Sequence, residues 1–352
     1  MNRLSYLLRK MNFGLLPMTL FWVMVSSFSA LNAQVKPRDF SLTMPNLKIS
    51  NSLYKTITFL DSRHDTANLG TIQHGVLNKL MEVQPKSKLS DQLNQFIESI
   101  IDSTAKDGQL LFQLRFLKFA ELRGGAALQE KGYCLIRAAL YLREGARYYF
   151  IDKVDTTITT ISAEVSNDLL KTADKTICSL IANNLLLVPS KNRALSFQEI
   201  VFIDKVEKQQ IKLYTARTYV DGLYRSYKSF FIQVPDEQVD VTMDDKRVAS
   251  VKKLMENGKK EKITTKGVYA LVHNGLPYIA TSAGYYQLRK YEDDFYFFSK
   301  EKVFATLPDL LLASYFFGPF GGDIANQKTI YRIRIDHLNG KFIRVKNLYQ
   351  IE

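Results

Sequence analysis

Residues 53–70 read LYKTITFLDSRHDTANLG, and this stretch sets the frame for the chain's first half. Tyr54, Thr56, Thr58 and Leu60 alternate with Lys55, Ile57 and Phe59, so both faces of the run are partly apolar. A β-branched and aromatic run of this kind predicts a strand, and its two-sided apolar character predicts an inner one. The run stops at Asp61-Ser62-Arg63-His64-Asp65, and the polar stretch continues to Asn68 and Gly70. Sheets that alternate with helices commonly place their sites at such strand ends. Asp61, Arg63, His64 and Asp65 are therefore the candidate ligand-binding residues. A carboxylate beside a histidine can do acid–base work. The plainer reading is an ordinary strand-end loop in which Asp61 pairs Arg63.

Downstream, Thr71–Val83 predicts a second strand, hairpin-paired with the first, or a short helix. Leu89–Ile101 predicts a helix with Ser90 as cap and Leu93, Phe96, Ile97 and Ile100 on one face. Residues 109–122, 132–142 and 147–157 read as three strands, the last two joined by a hairpin at Arg143-Glu144-Gly145-Ala146. Val165–Val188 predicts the longest helix, capped by Ser166 or Asn167 and stopped by Pro189. Two helices on one face of a mixed, mostly antiparallel sheet give an α+β sandwich over residues 34–190. Ser190-Lys191-Asn192-Arg193 reads as the domain break.

Residues 191–352 predict a smaller, mainly β domain, a barrel or roll. Ser196–Ala216 carries β-type residues. Ser226 can cap a short helix presenting Tyr227, Phe230 and Phe231. Asn274-Gly275, between two apolar runs, predicts a hairpin turn. In this half, DGLYRSYKSFF (221–231) followed by GVYALVHNGLPYIATSAGYYQL (267–288) and FYFFSKEKV (295–303) resembles a pattern in uncharacterised exported proteins of Bacteroidota. There a "dG-Y-s-eeF" stretch precedes a "G-dG--Yi" strand pair. The resemblance spans about residues 214–345 and implies no known activity. The first domain's β-β-α-β-β-β-α order is similar, in topology alone, to periplasmic accessory proteins of the TolB N-terminal and CsgG kind.

The first 33 residues carry the layout of a secretory signal peptide. Arg3, Arg9 and Lys10 precede a nearly continuous apolar run, Phe13–Phe28, and Leu31-Asn32-Ala33 places a small residue before the predicted cut. Pro17 and the shortness of the run argue against an uncleaved anchor. The expectation is an exported protein, periplasmic or associated with the outer membrane, with no transmembrane segment in the mature chain.

The chain has 352 residues, 46% hydrophobic and 24% charged, with 48 basic and 35 acidic side chains. That composition excludes a disordered chain and leaves room for two cores. Losing the leader leaves 45 basic residues against 35 acidic, or +10. No nucleic-acid signature accompanies the charge, so no nucleic-acid partner is expected. Cys134 and Cys178 sit among apolar neighbours, either paired or free. The two cysteines and four histidines show no zinc spacing, and no cofactor or metal is expected. Glu292-Asp293-Asp294 lacks a calcium-loop spacing and reads as a charged turn. Leu310–Asp323, LLLASYFFGPFGGD, is too short to span a bilayer. It is either a buried segment ending in a glycine loop or an apolar flap whose Phe316, Phe317 and Phe320 contact a membrane or partner.

These readings converge on an exported, non-enzymatic cell-envelope protein that binds a protein or surface partner. The alternative is a periplasmic hydrolase or ligand-binding protein with an interdomain cleft near Asp61–Asp65.

Overall fold

Two long strands, β5 (Gly108–Leu122) and β6 (Lys131–Glu144), form the middle of the first sheet. The computed structural model describes residues 36–46, 48–63, 66, 68–74, 79–122, 131–162, 164–255, 257–299 and 331–345. Around the central pair lie β1 (Arg38–Phe40), β2 (Tyr54–Asp61), β3 (Gly70–His74), β4 (Lys79–Pro85), β7 (Arg147–Ile161) and β8 (Ala194–Ser196). The order is β1-β4-β3-β5-β6-β7-β8, with β2 also on β5. β5–β6, β6–β7, β7–β8 and β3–β4 are antiparallel, whereas β1–β4, β2–β5 and β3–β5 are parallel. With six helices among the described residues, the architecture is α+β.

β2 departs from the inner-strand expectation. Among the described residues it pairs with β5 alone, from Tyr54 opposite Gly108 to Asp61 opposite Leu114. β3 continues along the same side of β5, with Gly70 opposite Phe119. The two strands therefore lie end to end and make no hairpin with each other. β2 has apolar residues on both faces because layers cover both faces of the sheet at that point. Ile57 and Phe59 meet the main core, while Leu60 meets a second one.

The main core lies between the sheet and two helices, α1 (Leu89–Ile100) and α2 (Val165–Ala182). Leu110, Phe112 and Leu114 of β5 face Phe96 and Ile97 of α1 and Leu169 and Ile177 of α2 in this cluster. Neither helix has the predicted side-chain cap. α2 ends six residues before the predicted stop at Val188. There Asn184 donates to the Leu180 carbonyl at 2.7 Å and to Asp152 of β7 at 2.9 Å, binding the last turn to the sheet. A strap at the N-terminal side completes this core. Phe40 and Leu42 are buried, Leu42 N donates to Gln92, and Thr43 holds Asp174 of α2 through its amide and hydroxyl.

After β8 the chain forms helices where β-type residues predict strands: α3 (Phe197–Val201), α4 (Ile203–Lys208) and α5 (Lys212–Thr215). A capping box decides it. Ser196 Oγ accepts from Glu199 N at 3.2 Å, and Glu199 accepts from Ser196 N at 2.8 Å. Leu195, Ile200 and Ile203 pack on Leu111, Ala139, Tyr141 and Tyr148, the outer face of the same sheet. Residues 194–208 thus belong to the first packing unit, beyond the break expected at 190.

Among the described residues, the remaining strands build three stacked sheets. β9 (Gly222–Tyr224), β13 (Ala270–His273), β14 (Leu276–Thr281) and β15 (Gly284–Gln287) make the middle layer. On one side lie β10 (Asp240–Asp244), β11 (Arg247–Leu254) and β12 (Lys260–Ile263). On the other lie β16 (Arg289–Tyr291), β17 (Asp294–Ser299), β18 (Tyr331–Ile335) and β19 (Phe342–Val345). Ala270, Val272 and Ile279 face one core, Leu271, Tyr278 and Ala280 the other. A sheet apolar on both faces requires a layer on each. The β13–β14 turn has Asn274 and Gly275 at φ 52° and 71°, as the Asn-Gly pair predicts. α6 (Tyr227–Phe231) is capped by Ser226 in a box with Ser229.

Candidate functional site

At the end of β2, Asp61 and Arg63 form a forked pair at 2.8 and 2.7 Å, and Arg63 also donates to the Thr66 carbonyl at 3.0 Å. Arg63 is buried. His64 and Asp65, and the candidate contact residues Phe316, Phe317 and Phe320, lie outside the described residues, as does the leader. Ser62 N donates to Leu114 O, and its hydroxyl accepts from Gln113, which also donates to the Ile200 carbonyl. The strand end is thereby sewn to α3 across the outer face of the sheet.

One residue further along β5 lies a denser cluster of charge. The register of β5 on β6 slips between Leu114 and Phe116, which leaves Arg115 as the extra residue of a β-bulge. Leu114 and Leu117 still face the main core, so the bulge leaves Arg115 and Phe116 on the outer face. Arg115 is buried there, and its guanidinium reaches Glu207 at 2.9 and 2.6 Å and Asp204 at 2.5 Å, both on α4. Glu207 also meets His337 Nε2 at 2.8 Å. His337 belongs to the β18–β19 turn, so this chain of contacts runs from the first sheet to the last.

A second arginine repeats the pattern. Arg137 of β6, buried beneath Phe116, pairs Asp336 at 2.9 Å and Asp155 of β7 at 3.1 Å. Lys341 donates to Thr157 at 2.9 Å. The turn from Asp336 to Lys341 is clamped from behind. Tyr227 donates to the His337 carbonyl at 2.7 Å and Tyr269 to the Gly340 carbonyl at 3.0 Å. The cleft at this seam has room for about one water molecule. Arg137, Asp155, Thr157, Asp336 and Lys341 supply its polar lining, and Asp61 and Arg63 do not reach it.

The electrostatics follow from the pairing. Burial pushes the Glu207 carboxyl upward, but hydrogen bonds from His337 and Arg115 and the charge of Arg115 outweigh it, and its pKa falls to about 2. Asp204 is held below its ordinary range in the same way, burial being outweighed by Arg115. Asp336, almost wholly enclosed, is also lowered, with burial opposed chiefly by Arg137. Both arginines stay charged, because their carboxylate partners overcome burial.

Asp204, Glu207 and His337 bring three ligand atoms within 4.8 Å of one another. A cation there would compete for carboxylate oxygens with Arg115, which already supplies a fixed positive charge. The arrangement is that of an ion-pair network. Of the acidic patch at 292–294, Asp294 is taken by Lys208 at 2.7 Å, and Glu292 and Asp293 form the β16–β17 turn. Cys134 and Cys178 are both free thiols. Burial drives both thiol pKa values up, which makes them poor nucleophiles. Among the described residues no helix is long and apolar enough to cross a membrane.

Reading the sequence does not single out Arg115, Arg137, Asp204 and Glu207. The available signal is a lone arginine inside an apolar strand, in LFQLRFLKF (111–119) and CLIRAAL (134–140). Such a residue must find a carboxylate somewhere.

No family model matches the chain, and no curated protein matches it either. Among solved structures, a crystal structure of a Xanthomonas campestris protein of family DUF330 aligns at TM-score 0.26 and 11% identity. The alignment covers 48% of this chain and 98% of that one.

Proposed function

We propose that this chain is an exported, non-enzymatic protein of the cell envelope that works by holding a protein or surface partner. One observation supports it most. The cluster in which acids, a histidine and arginines converge is spent on internal pairing: it holds α4 on the first sheet and the β18–β19 turn against both. Arg115 and Arg137 draw their partners from α4 and from the β18–β19 turn, and each of those carboxylates is already engaged. Catalysis needs groups free to meet a substrate and change protonation. Glu207, held at about 2, stays charged through the physiological range. The leader-like residues 1–33 support the location.

N-terminal sequencing of the protein recovered from fractionated cells tests this reading. A chain beginning near Gln34 in an envelope or periplasmic fraction, co-purifying with an envelope component, is the expected result. A protein still beginning at Met1 in the cytosol overturns it.

A further inference from the structure

One end of the first sheet, where β6 turns into β7, carries an apolar rim that stays largely exposed. Past α2 the chain shows Leu186, Leu187 and Val188, each 51–73% exposed. It then passes Lys191 and Arg193, and α3 presents Phe197 and Val201 one turn apart, followed by Phe202, at 39–52% exposed. Several contacts place these pieces at the same end. Tyr54 donates to the Leu187 carbonyl, Lys191 pairs Glu144 at 2.7 Å, Arg147 lies opposite Ser196 across the β7–β8 ladder, and Phe197 packs 5.9 Å from Tyr148.

Basic side chains outnumber acidic ones around the rim. Arg143, Arg147, Lys191 and Arg193 are exposed there. The carboxylates at this end are Glu144, which holds Lys191, Glu199, which closes the capping box on Ser196, and Asp107, which pairs Lys55. Large apolar side chains in such a group are rare on a protein that stays free in water. Aliphatic and phenyl groups bordered by arginine fit the boundary of a bilayer, with the apolar tips among acyl chains and the cations among headgroups. A second copy of the chain would bring like-charged arginines together across a two-fold axis. A polyanion without acyl chains would leave the leucines and Phe197 unused.

We propose that this rim docks the protein on an anionic phospholipid surface, with Leu186–Val188 and Phe197 inserted and Arg143, Arg147 and Arg193 at the headgroups. This deepens the binding-protein reading above by naming the surface, and it rests on that reading. It makes the protein peripheral.

The test is co-sedimentation of the leader-free chain with vesicles of phosphatidylcholine alone and of phosphatidylcholine mixed with phosphatidylglycerol. Binding to the mixed vesicles alone, weakened by added salt, is the expected result. Arg147→Ala and Arg193→Ala should each weaken it about fivefold, the scale of ~1 kcal/mol per basic residue at an anionic leaflet. Leu187→Asp should cost at least about tenfold, because it removes an inserted aliphatic group and adds a repelled charge. All three positions are exposed, so an unchanged melting temperature shows that the variants fold. Failure to bind mixed vesicles overturns the proposal. So does equal binding by Leu187→Asp, or a homodimer that Leu187→Asp dissolves. A chain that is exported with a partner yet ignores vesicles defeats this proposal alone, whereas a chain retained in the cytosol with Met1 defeats the reading beneath it.

Discussion

Replacing Arg115 by methionine keeps most of the side chain's volume and removes its charge. Glu207 and Asp204 are then left facing each other without the guanidinium that separates them. The size of the effect follows from Glu207. Its pKa near 2, against an ordinary 4.5, corresponds to ~3 kcal/mol in favour of the folded, charged form. Its side chain is 23% exposed, so solvent screens only part of this. Loss of one partner from a buried pair costs about 3–5 kcal/mol in general, and the half-exposed Asp204 argues for the lower end. Arg115→Met should therefore lose ~3 kcal/mol at neutral pH. The acid response gives the sharper check. A carboxyl with a lowered folded pKa contributes stability above its unfolded value, and the contribution fades as pH falls through the folded value. For Glu207 that window runs from about 4.5 down to about 2, and Asp204 and Asp336 add to the same slope. Urea unfolding of wild type should weaken steeply across this window. The variant, already without much of the Glu207 and Asp204 terms, should show a shallower slope. A loss below about 1 kcal/mol at neutral pH, or an unchanged acid slope, would refute the network as described.

Three further outcomes follow from other parts of the fold. Gly340 has φ 74°, and a Cβ there would sit 2.3–2.6 Å from the Tyr227 side chain, so Gly340→Ala should lower the melting temperature far more than Gly145→Ala, whose hairpin position at φ 60° opens on empty space. Equal losses from the two would show that the clamp on the β18–β19 turn is unimportant. Phe40→Ala should cost about 3–5 kcal/mol in chemical denaturation, because Phe40 is 1% exposed and packs 5.5 Å from Phe119; a cost below about 1 kcal/mol would mean that the strap is not part of the core. A thiol reagent should modify Cys178 slowly and Cys134 only on unfolding, and the mass of the non-reduced protein should be that of two free thiols. A mass two hydrogens lighter would contradict the free pair.

The elements that could be read from sequence share a physical feature: their signal lies within a few residues. The apolar stripe from Leu93 to Ile100, the Asn274-Gly275 turn and the Ser226 cap each act over less than two helical turns, and the structure has all three. β2 shows the limit. A run apolar on both faces reports that layers cover both faces, and it says nothing about position in the strand order. The α3–α5 segment shows another, since Ile200, Val201 and Ile203 fit a strand as well as a helix until the Ser196–Glu199 box settles the choice.

The junction shows the deepest limit. Arg137 and Asp336 are 199 residues apart in sequence, and neither is unusual in its own neighbourhood. What identifies the pair is the cost of an arginine enclosed in β6 without a counterion, which is a demand on the fold and not a local pattern. The bulge at Arg115 places a similar demand one strand away, and α4 and the β18–β19 turn meet both. Among the described residues the cores on either side, around Phe112 and around Tyr269, are separate clusters, and charged contacts cross between them. The directional contacts that cross the junction are Arg137 Nη2 to Asp336 at 2.9 Å and His337 Nε2 to Glu207 at 2.8 Å, whereas the forked Arg115–Glu207 pair holds α4 on the first sheet. Arg137 and His337 thus hold the β18–β19 turn against the first packing unit, and Arg115 holds α4 in the position that His337 needs.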